Sequence, residues 1–370
     1  MKVSVLSENL SRAMSVVIRG ISSRSQLPTL SNVLIRVTKT GLEFVSTDLE
    51  ISFVFKVGAK IEEEGEILVP AKLFNDLVTT LAPGTIELMT EKQTLQIKAD
   101  GTQAEVTGMA ADEYPSIPRA QGKGYILTTE EFKNKVGRVT IAAAKDNSRP
   151  ILEGILWILD GKKITIATTD GYRMGTDLLT EIEGEKTETE GVSLVLPVRA
   201  VQELIKVLPE GQKKMEMEFD KDKQQVIFRA GELEMISRLI GGEFPPFMQI
   251  IPKEYKTRVV IERGDLMTAV RRASIFSRGN ANIVMLEVSS EGVEVSANSA
   301  EVGKNTSKVQ AEVEGDDLKT AFNGRYLLEY LGNIDNEQII LESGGDLKPG
   351  VFKIEGEDFL HVIMPIRQNT

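Results

Sequence analysis

The chain has 370 residues, no cysteine, a single histidine, and a net charge of −11 from 44 basic and 55 acidic residues. The lack of cysteine excludes disulfides and thiolate chemistry, and one histidine leaves a metal site to be built from carboxylates. A chain this acidic does not bind nucleic acid through its overall field, so any such binding is confined to a locally basic surface.

Apolar content of 41% is ordinary for a globular protein, and no stretch approaches the roughly 20 apolar residues of a membrane span. The opening Met1-Lys2-Val3-Ser4-Val5 alternates like a strand and lacks a leader's apolar core. A cytoplasmic location is the expectation.

A first helix is predicted from Ser7 to Ile18, with Leu10, Ala13, Met14 and Val17 on one face. It exposes Arg12 and leads to Arg19 and Arg24. Gly41-Leu-Glu-Phe-Val-Ser-Thr-Asp48 reads as a strand that ends on a turn aspartate. A proline-led helix from Pro70 to Leu81 sets Lys72 beside the apolar Leu73, Phe74, Leu77, Val78 and Leu81. Ile86, Leu88, Leu95 and Ile97 alternate as in half-buried strands.

The pattern then recurs. The stretch from Thr128 to Ala144 opens with a capping box, Thr128-x-x-Glu131, and buries Phe132, Val136, Val139 and Ala143. Lys135, Arg138 and Lys145 gather on an adjoining face, with Asp146 and Arg149 just beyond. Lys162-Lys-Ile-Thr-Ile-Ala-Thr-Thr-Asp170 repeats the strand and its aspartate. A second proline-led helix, Pro197 to Leu208, carries Arg199 and Lys206 outside its stripe of Val201, Leu204, Ile205 and Leu208. Met215, Met217, Phe219, Val226 and Phe228 alternate.

The fifth helix, Gly264 to Phe276, buries Leu266, Ala269, Val270 and Ala273, and its Asp265 suits the positive end of the helix dipole. Arg271 and Arg272 lie outside that stripe, and Arg278 follows. Gly292-Val-Glu-Val-Ser-Ala-Asn-Ser299 is a weaker echo of the earlier strands. Asn323 to Leu331 places Arg325 beside Tyr326, Leu327 and Leu331, and Ile339, Leu341, Phe352 and Ile354 alternate after it.

The echoes lie about 120–130 residues apart, far beyond the roughly 20–50 residues of a solenoid repeat. The grammar of helix, strands, helix, strands predicts an α+β fold of three like domains, 1–124, 125–253 and 254–370, each with two helices packed on antiparallel sheets. Basic residues recur on the helices. The acidic surplus falls in Glu62 to Glu66, Glu181 to Glu190, Glu312 to Asp317 and Glu355 to Asp358, which read as loops and edges. That segregation predicts a positive face on a negative body.

No phosphate-cradling G-x-x-x-x-G-K-[ST], no G-x-G-x-x-G after a strand and no G-x-S-x-G elbow occurs. Asp48 and Asp170 suit turn acceptors better than acid/base groups. No enzyme activity, cofactor or metal is expected. Three like domains point to a symmetric object that acts by shape; a β-rich scaffold that binds only proteins and never DNA, and a hydrolase built on the two aspartates, are the alternatives.

Six motifs in order along the whole chain narrow the choice. They are Leu27-Pro28-x-Leu30-x-Asn32, Ser46-Thr47-Asp48-Leu49-Glu50, and Ala167-Thr-Thr-Asp-Gly-Tyr-Arg173. Gly242-Glu-Phe-Pro245 with Ile251-Pro252, Phe322-Asn323-x-x-Tyr326, and Val362-Ile-Met-Pro-Ile-Arg367 complete the set. With these the chain resembles the bacterial sliding clamps, the β subunits of DNA polymerase III.

The resemblance implies a head-to-tail homodimeric ring around duplex DNA, lined by helices and walled by sheets. Twelve helices at roughly 10 Å spacing enclose a hole of about 28 Å, which passes a duplex of about 20 Å with water to spare. It implies sequence-blind phosphate contact by Arg24, Lys72, Lys135, Arg138, Lys145, Arg149, Arg199, Lys206, Arg271 and Arg272. It implies that replicative polymerase, clamp loader, repair polymerases and ligase dock by short peptide tails. Their apolar pocket is walled by Leu152, Thr169, Gly171, Tyr172, Arg173, Met174, Pro245, Ile250, Val362 and Met364. A second subsite uses Arg149, Asn323, Tyr326, Pro365, Ile366 and Arg367. The dimer seam is implied to set Ile275 and Phe276 against the strand Gln103 to Met109, with Ala104 and Val106 at its apolar positions. Two departures stand out. Pro150 and Ile151 replace a pair of aromatics found in some relatives, and Gln368, Asn369 and Thr370 extend past Arg367, where they would shade the pocket.

Overall fold

The computed structural model describes residues 1–22, 27–119, 124–146, 148–180, 182–183, 191–220, 224–278, 281–301 and 303–367. The strand pairings among these residues are antiparallel, as the alternation predicts. The chain divides into two compact units.

The first unit takes Met1–Thr129, Ile182–Glu185 and Arg199–Leu239. Its five-stranded sheet runs in the order Ala59–Glu63, Lys2–Leu6, Thr85–Glu91, Thr94–Ala99, Thr102–Thr107. Its nine-stranded sheet runs Ile182–Glu183, Tyr125–Thr128, Lys214–Asp220, Gln225–Ala230, Leu233–Arg238, Ile51–Val57, Gly41–Thr47, Asn32–Thr38, Gly65–Pro70. The Ser7–Val17 helix buries Leu10, Ala13, Met14 and Val17, as their spacing requires. The Ala71–Val78 helix buries Phe74 and Val78, and Phe74 stacks on Phe44 with ring centroids 6.4 Å apart. Leu73 is exposed instead of core, because it stands one 100° step round the helix from Phe74. Leu34, Val45, Val54, Leu68, Ile227 and Ile236 form a cluster covered by Met109, Ala111, Tyr114 and Ile117.

The second unit takes Glu130–Glu181, Lys186–Val198 and Ile240–Thr370. Its nine-stranded sheet runs Val192–Pro197, Gly154–Asp160, Lys163–Thr169, Arg173–Leu179, Leu360–Ile363, Gly350–Lys353, Gln338–Ser343, Thr257–Glu262, Ala311–Gly315. Its four-stranded sheet runs Gly303–Val309, Gly292–Ser299, Ile283–Ser289, Leu318–Asn323. The Arg263–Ser277 helix buries Leu266, Ala269, Val270 and Ala273. Phe132 packs on Trp157 with ring centroids 6.0 Å apart. Each such large side chain contributes about 1.5–3 kcal/mol by leaving water.

The predicted 128–144 helix is not one regular helix. It starts at Thr129, and a π turn over Phe132–Val136 and a 3-10 turn over Thr140–Ala142 interrupt it. Gly137 and the β-branched run Val139-Thr140-Ile141 disfavour regular α geometry, and the changes of pitch keep Phe132, Val136, Val139 and Ala143 all buried. The Glu131 carboxylate accepts the Thr180 N–H at 2.9 Å and pairs with Lys135 at 2.9 Å.

The central repeat is shared between the units because sheets run through repeat boundaries. In the first unit Leu233–Arg238 pairs with Ile51–Val57, with Ile236 opposite Ser52. In the second, Arg173–Leu179 pairs with Leu360–Ile363, with Met174 opposite Val362. The glutamate-bearing strands Ala59–Glu63 and Ala311–Gly315 end their sheets, where charge deters unwanted pairing. Of the Glu181 to Glu190 run only residues 182–183 are described. No helix among the described residues is long and apolar enough to cross a membrane.

Candidate functional site

Two turns show how repetition shapes this chain. Asp170 Oδ1 accepts the N–H groups of Tyr172 and Arg173, both at 2.9 Å, and Thr169 Oγ1 accepts from the Gly171 N–H at 3.0 Å. Asp48 does the same for Glu50 and Ile51 at 3.0 and 2.8 Å, and Thr47 for Leu49 at 3.0 Å. Both aspartates are therefore turn acceptors, as their position after a strand predicts. Gly171 has φ +90°, a conformation that glycine adopts without strain, and a Cβ there would lie 3.1 Å from the Arg149 guanidinium.

The Gly171 turn lifts Tyr172 out of the sheet, where it is 65% exposed. Its carbonyl accepts the Met364 N–H at 2.9 Å, so the two candidate residues are brought together. Below them Met174 and Val362 join Leu156, Ala167, Val195, Phe247 and Val351 in one apolar cluster. Ile151, Ile158, Ile240, Phe244, Ile251 and Leu360 pack against its edge. Leu152, Thr169, Met174 and Val362 are buried. The exposed apolar rim is Tyr172, Met248, Ile250 and Met364. Pro245 is half-buried, and its carbonyl accepts the Phe247 N–H at 2.7 Å. The sequence reading missed Phe247 and Met248, although the apolar density from Phe244 to Ile251 was a signal for them.

Of the residues expected at the second subsite, Arg149 and Tyr326 meet the same turn. Arg149 donates to the Asp170 carbonyl at 3.1 Å. Asn323 Oδ1 caps the Gly324–Leu331 helix by accepting the Arg325 N–H at 2.9 Å. Ile366 N–H donates to the Ala321 carbonyl at 2.8 Å, which lays the half-buried Pro365 and Ile366 along that strand, with Arg367 exposed. The tail Gln368, Asn369 and Thr370 lies outside the described residues.

Arg173 is 4% exposed and is not a rim residue. Its guanidinium pairs with Asp170 at 3.0 Å and Glu329 at 2.6 Å, and lies 4.2 Å from the centre of the Tyr326 ring. Burial, followed by the charge of Asp170, pushes the Tyr326 phenol up. His361, next to Val362, is fully buried and stacks on Tyr330 with centroids 5.0 Å apart. Neither ring nitrogen finds a hydrogen-bond partner among the described residues. Burial, and then the charge of Arg173, push its imidazole down to about 3, so the ring is neutral at pH 7.

The basic candidates separate into two groups. Arg138 is half-buried against Asp177 and Glu357 and lies 4.4 Å from the centre of the Phe359 ring. Lys135 donates to the Leu178 carbonyl at 2.7 Å. Both are held by partners of their own chain. Arg199 pairs with Asp48 at 2.7 Å, Lys206 with Glu203 at 2.8 Å and Lys145 with Glu329 at 3.3 Å, all three remaining more than half exposed. Lys72, Arg271 and Arg272 are exposed and form no ion pair among the described residues. Arg24 lies outside the described residues.

Of the seam candidates, Ile275 is 56% exposed and Phe276 half-buried. Ala104 is half-buried, while Val106 is 3% exposed and belongs to the core of its own sheet. Their strand, Thr102–Thr107, ends the five-stranded sheet, and Gly303–Val309 ends the four-stranded one.

Repeated α+β modules and antiparallel sheets that continue through repeat boundaries define the class of DNA sliding clamps. Family models agree: the N-terminal, central and C-terminal domains of the DNA polymerase III beta subunit match residues 1–118, 126–246 and 248–367. The chain belongs to the DNA polymerase III β subunit family, whose members are processivity factors and not enzymes. It is 29% identical over 363 residues to a beta sliding clamp of Staphylococcus epidermidis, covering 95% of each chain. The DNA polymerase sliding clamp of Bacillus subtilis superposes with a TM-score of 0.94 at 26% identity over 100% of both chains. A clamp of Pseudomonas aeruginosa, solved bound to griselimycin, gives 0.93 at 26% identity, again over 100% of both chains.

Proposed function

We propose that two copies of this chain close head to tail into a ring that encircles duplex DNA, slides without reading sequence and tethers the polymerase as a processivity factor. The observation that carries this reading is strand order. In the first unit, five strands ending at Leu233–Arg238 meet four beginning at Ile51–Val57. The free edge of Thr102–Thr107 also closes a run of five, and that of Gly303–Val309 opens a run of four. Joined between two copies, these edges would make a further nine-stranded sheet of the same order and leave neither edge bare. Ile275 and Phe276 would pack beside that seam, with three clamp domains per copy at 1–124, 125–253 and 254–370.

The rim of Tyr172, Ile250 and Met364 over the Met174 and Val362 floor suits a short apolar peptide, and the Arg149, Asn323 and Tyr326 side offers it polar anchors. Lys72, Arg271 and Arg272, with the partly paired Lys145, Arg149, Arg199 and Lys206, suit loose phosphate contact. Such a ring retains DNA by closure, so affinity can stay low. The partners would be the clamp loader, replicative and repair polymerases and ligase, in the bacterial cytoplasm. A scaffold that binds only proteins leaves the exposed cations of an acidic chain without a role.

The test has two parts. In solution the mass is that of a dimer, and loaded protein stays on nicked circular DNA but runs off the linearised form. A strictly monomeric species at micromolar concentration, or equal loss from both templates, rejects the ring.

A further inference from the structure

Glu329 was not singled out by the sequence, yet it stands at the crossing of the two proposed surfaces. It lies on the Gly324–Leu331 helix with its side chain 24% exposed. One oxygen pairs with Arg173 at 2.6 Å. The other pairs with Arg325 at 3.0 Å and with Lys145 at 3.3 Å. Burial works against its charge, but Arg173, Arg325 and Lys145 outweigh that and hold the carboxyl below its usual range.

The three cations differ in their surroundings. Arg173 is sealed in the core of the Asp170 turn, the turn whose backbone presents Tyr172 and receives Met364. Lys145 and Arg325 are 63% and 64% exposed and free to turn toward solvent or a phosphate. A single carboxylate thus divides its attraction between a buried cation that shapes the peptide rim and two cations open to a polyanion.

We propose that Glu329 is a positioning residue that links duplex contact to tail-peptide binding: phosphates that draw Lys145 and Arg325 away leave the carboxylate to Arg173, which stiffens the Asp170 turn and tightens the peptide site. The inference rests on the functional reading above. Linkage requires the converse as well, so bound peptide strengthens duplex contact by the same factor. The expected factor is about fivefold, at the low end for coupled sites, because the two outer ion pairs are exposed and screened by salt.

The experiment measures the affinity of a fluorescein-labelled C-terminal tail of the host's replicative polymerase, by anisotropy, with and without saturating duplex at low salt. Wild-type full-length protein should bind the tail about fivefold more tightly with duplex present. Glu329→Gln should bind it more weakly, and duplex should no longer matter. The double variant Lys145→Gln/Arg325→Gln leaves the Glu329–Arg173 pair in place. It should show the tight tail affinity without duplex, and no further gain with it, a direction that mere loss of structure does not produce. This second variant decides the matter should Glu329→Gln fold poorly. Wild-type protein that binds both ligands with no mutual effect, or a double variant that keeps the wild-type ratio, overturns the inference alone. Wild-type protein that binds neither tail nor duplex overturns it together with the reading beneath it, and shows this before any variant is made.

Discussion

Arg138 and Arg271 are both basic residues on predicted helices, yet only Arg271 offers a free charge. The partners that claim Arg138 lie 39 and 219 residues away, so no helical period could reveal them. Local chemistry was legible by contrast: the bonds of Asp48 and Asp170 reach only two and three residues ahead. Burial pushes the Asp177 carboxyl up and Arg138 holds it down, with the balance above the ordinary value. Removing Arg138 leaves that acid buried without its ion-pair partner. Arg138→Ala should therefore cost about 3–5 kcal/mol in denaturant unfolding and leave duplex affinity unchanged. Arg271→Ala and Arg272→Ala should do the reverse, each lowering the slope of log affinity against log salt by about 0.9 with little loss of stability. His361 sets a pH limit. Its imidazole titrates near 6.5 when unfolded and at about 3 when folded, so below pH 6.5 the unfolded chain binds the extra proton. Stability should fall by up to about 1.4 kcal/mol per pH unit from 6.5 toward 5, and His361→Phe should flatten that slope in urea unfolding at each pH.

At the level of elements, apolar stripes gave the helices and alternation gave the strands, because each depends only on a local period. The π turn at Phe132–Val136 was hidden, since it is a compromise between poor helix formers and a core that still claims their neighbours. Alternation also leaves the partner of a strand open: Val106, which the resemblance sets at the seam, is 3% exposed within its own sheet. The apolar patch was half legible. Its turn and C-terminal strand carry motifs, whereas Phe247 enters from a connector whose path depends on the whole sheet. Met364 is 40% exposed and carries the rim without supporting the core. Met364→Ala should weaken tail-peptide binding about tenfold and leave the dimer mass unchanged, a pairing that titration and light scattering can check. Ile275 is an exposed apolar residue on a long helix. Ile275→Lys should convert the dimer to a folded monomer by sedimentation, with circular dichroism unaltered.

At the scale of the molecule, three repeats do not make three separable bodies, because hydrogen-bonded ladders cross the boundaries between them. That was not legible in the echoes, which report likeness between segments and not which segments touch. The Leu233–Arg238 ladder has a practical side. A fragment that stops at residue 124 would strip Ile51–Val57 of its neighbour and leave a row of amides and carbonyls bare. Expressed alone, such a piece should precipitate or scavenge any extended polypeptide, as its soluble yield would reveal. The molecule is thus woven and not strung: no bead can be cut loose without unravelling the cloth on either side.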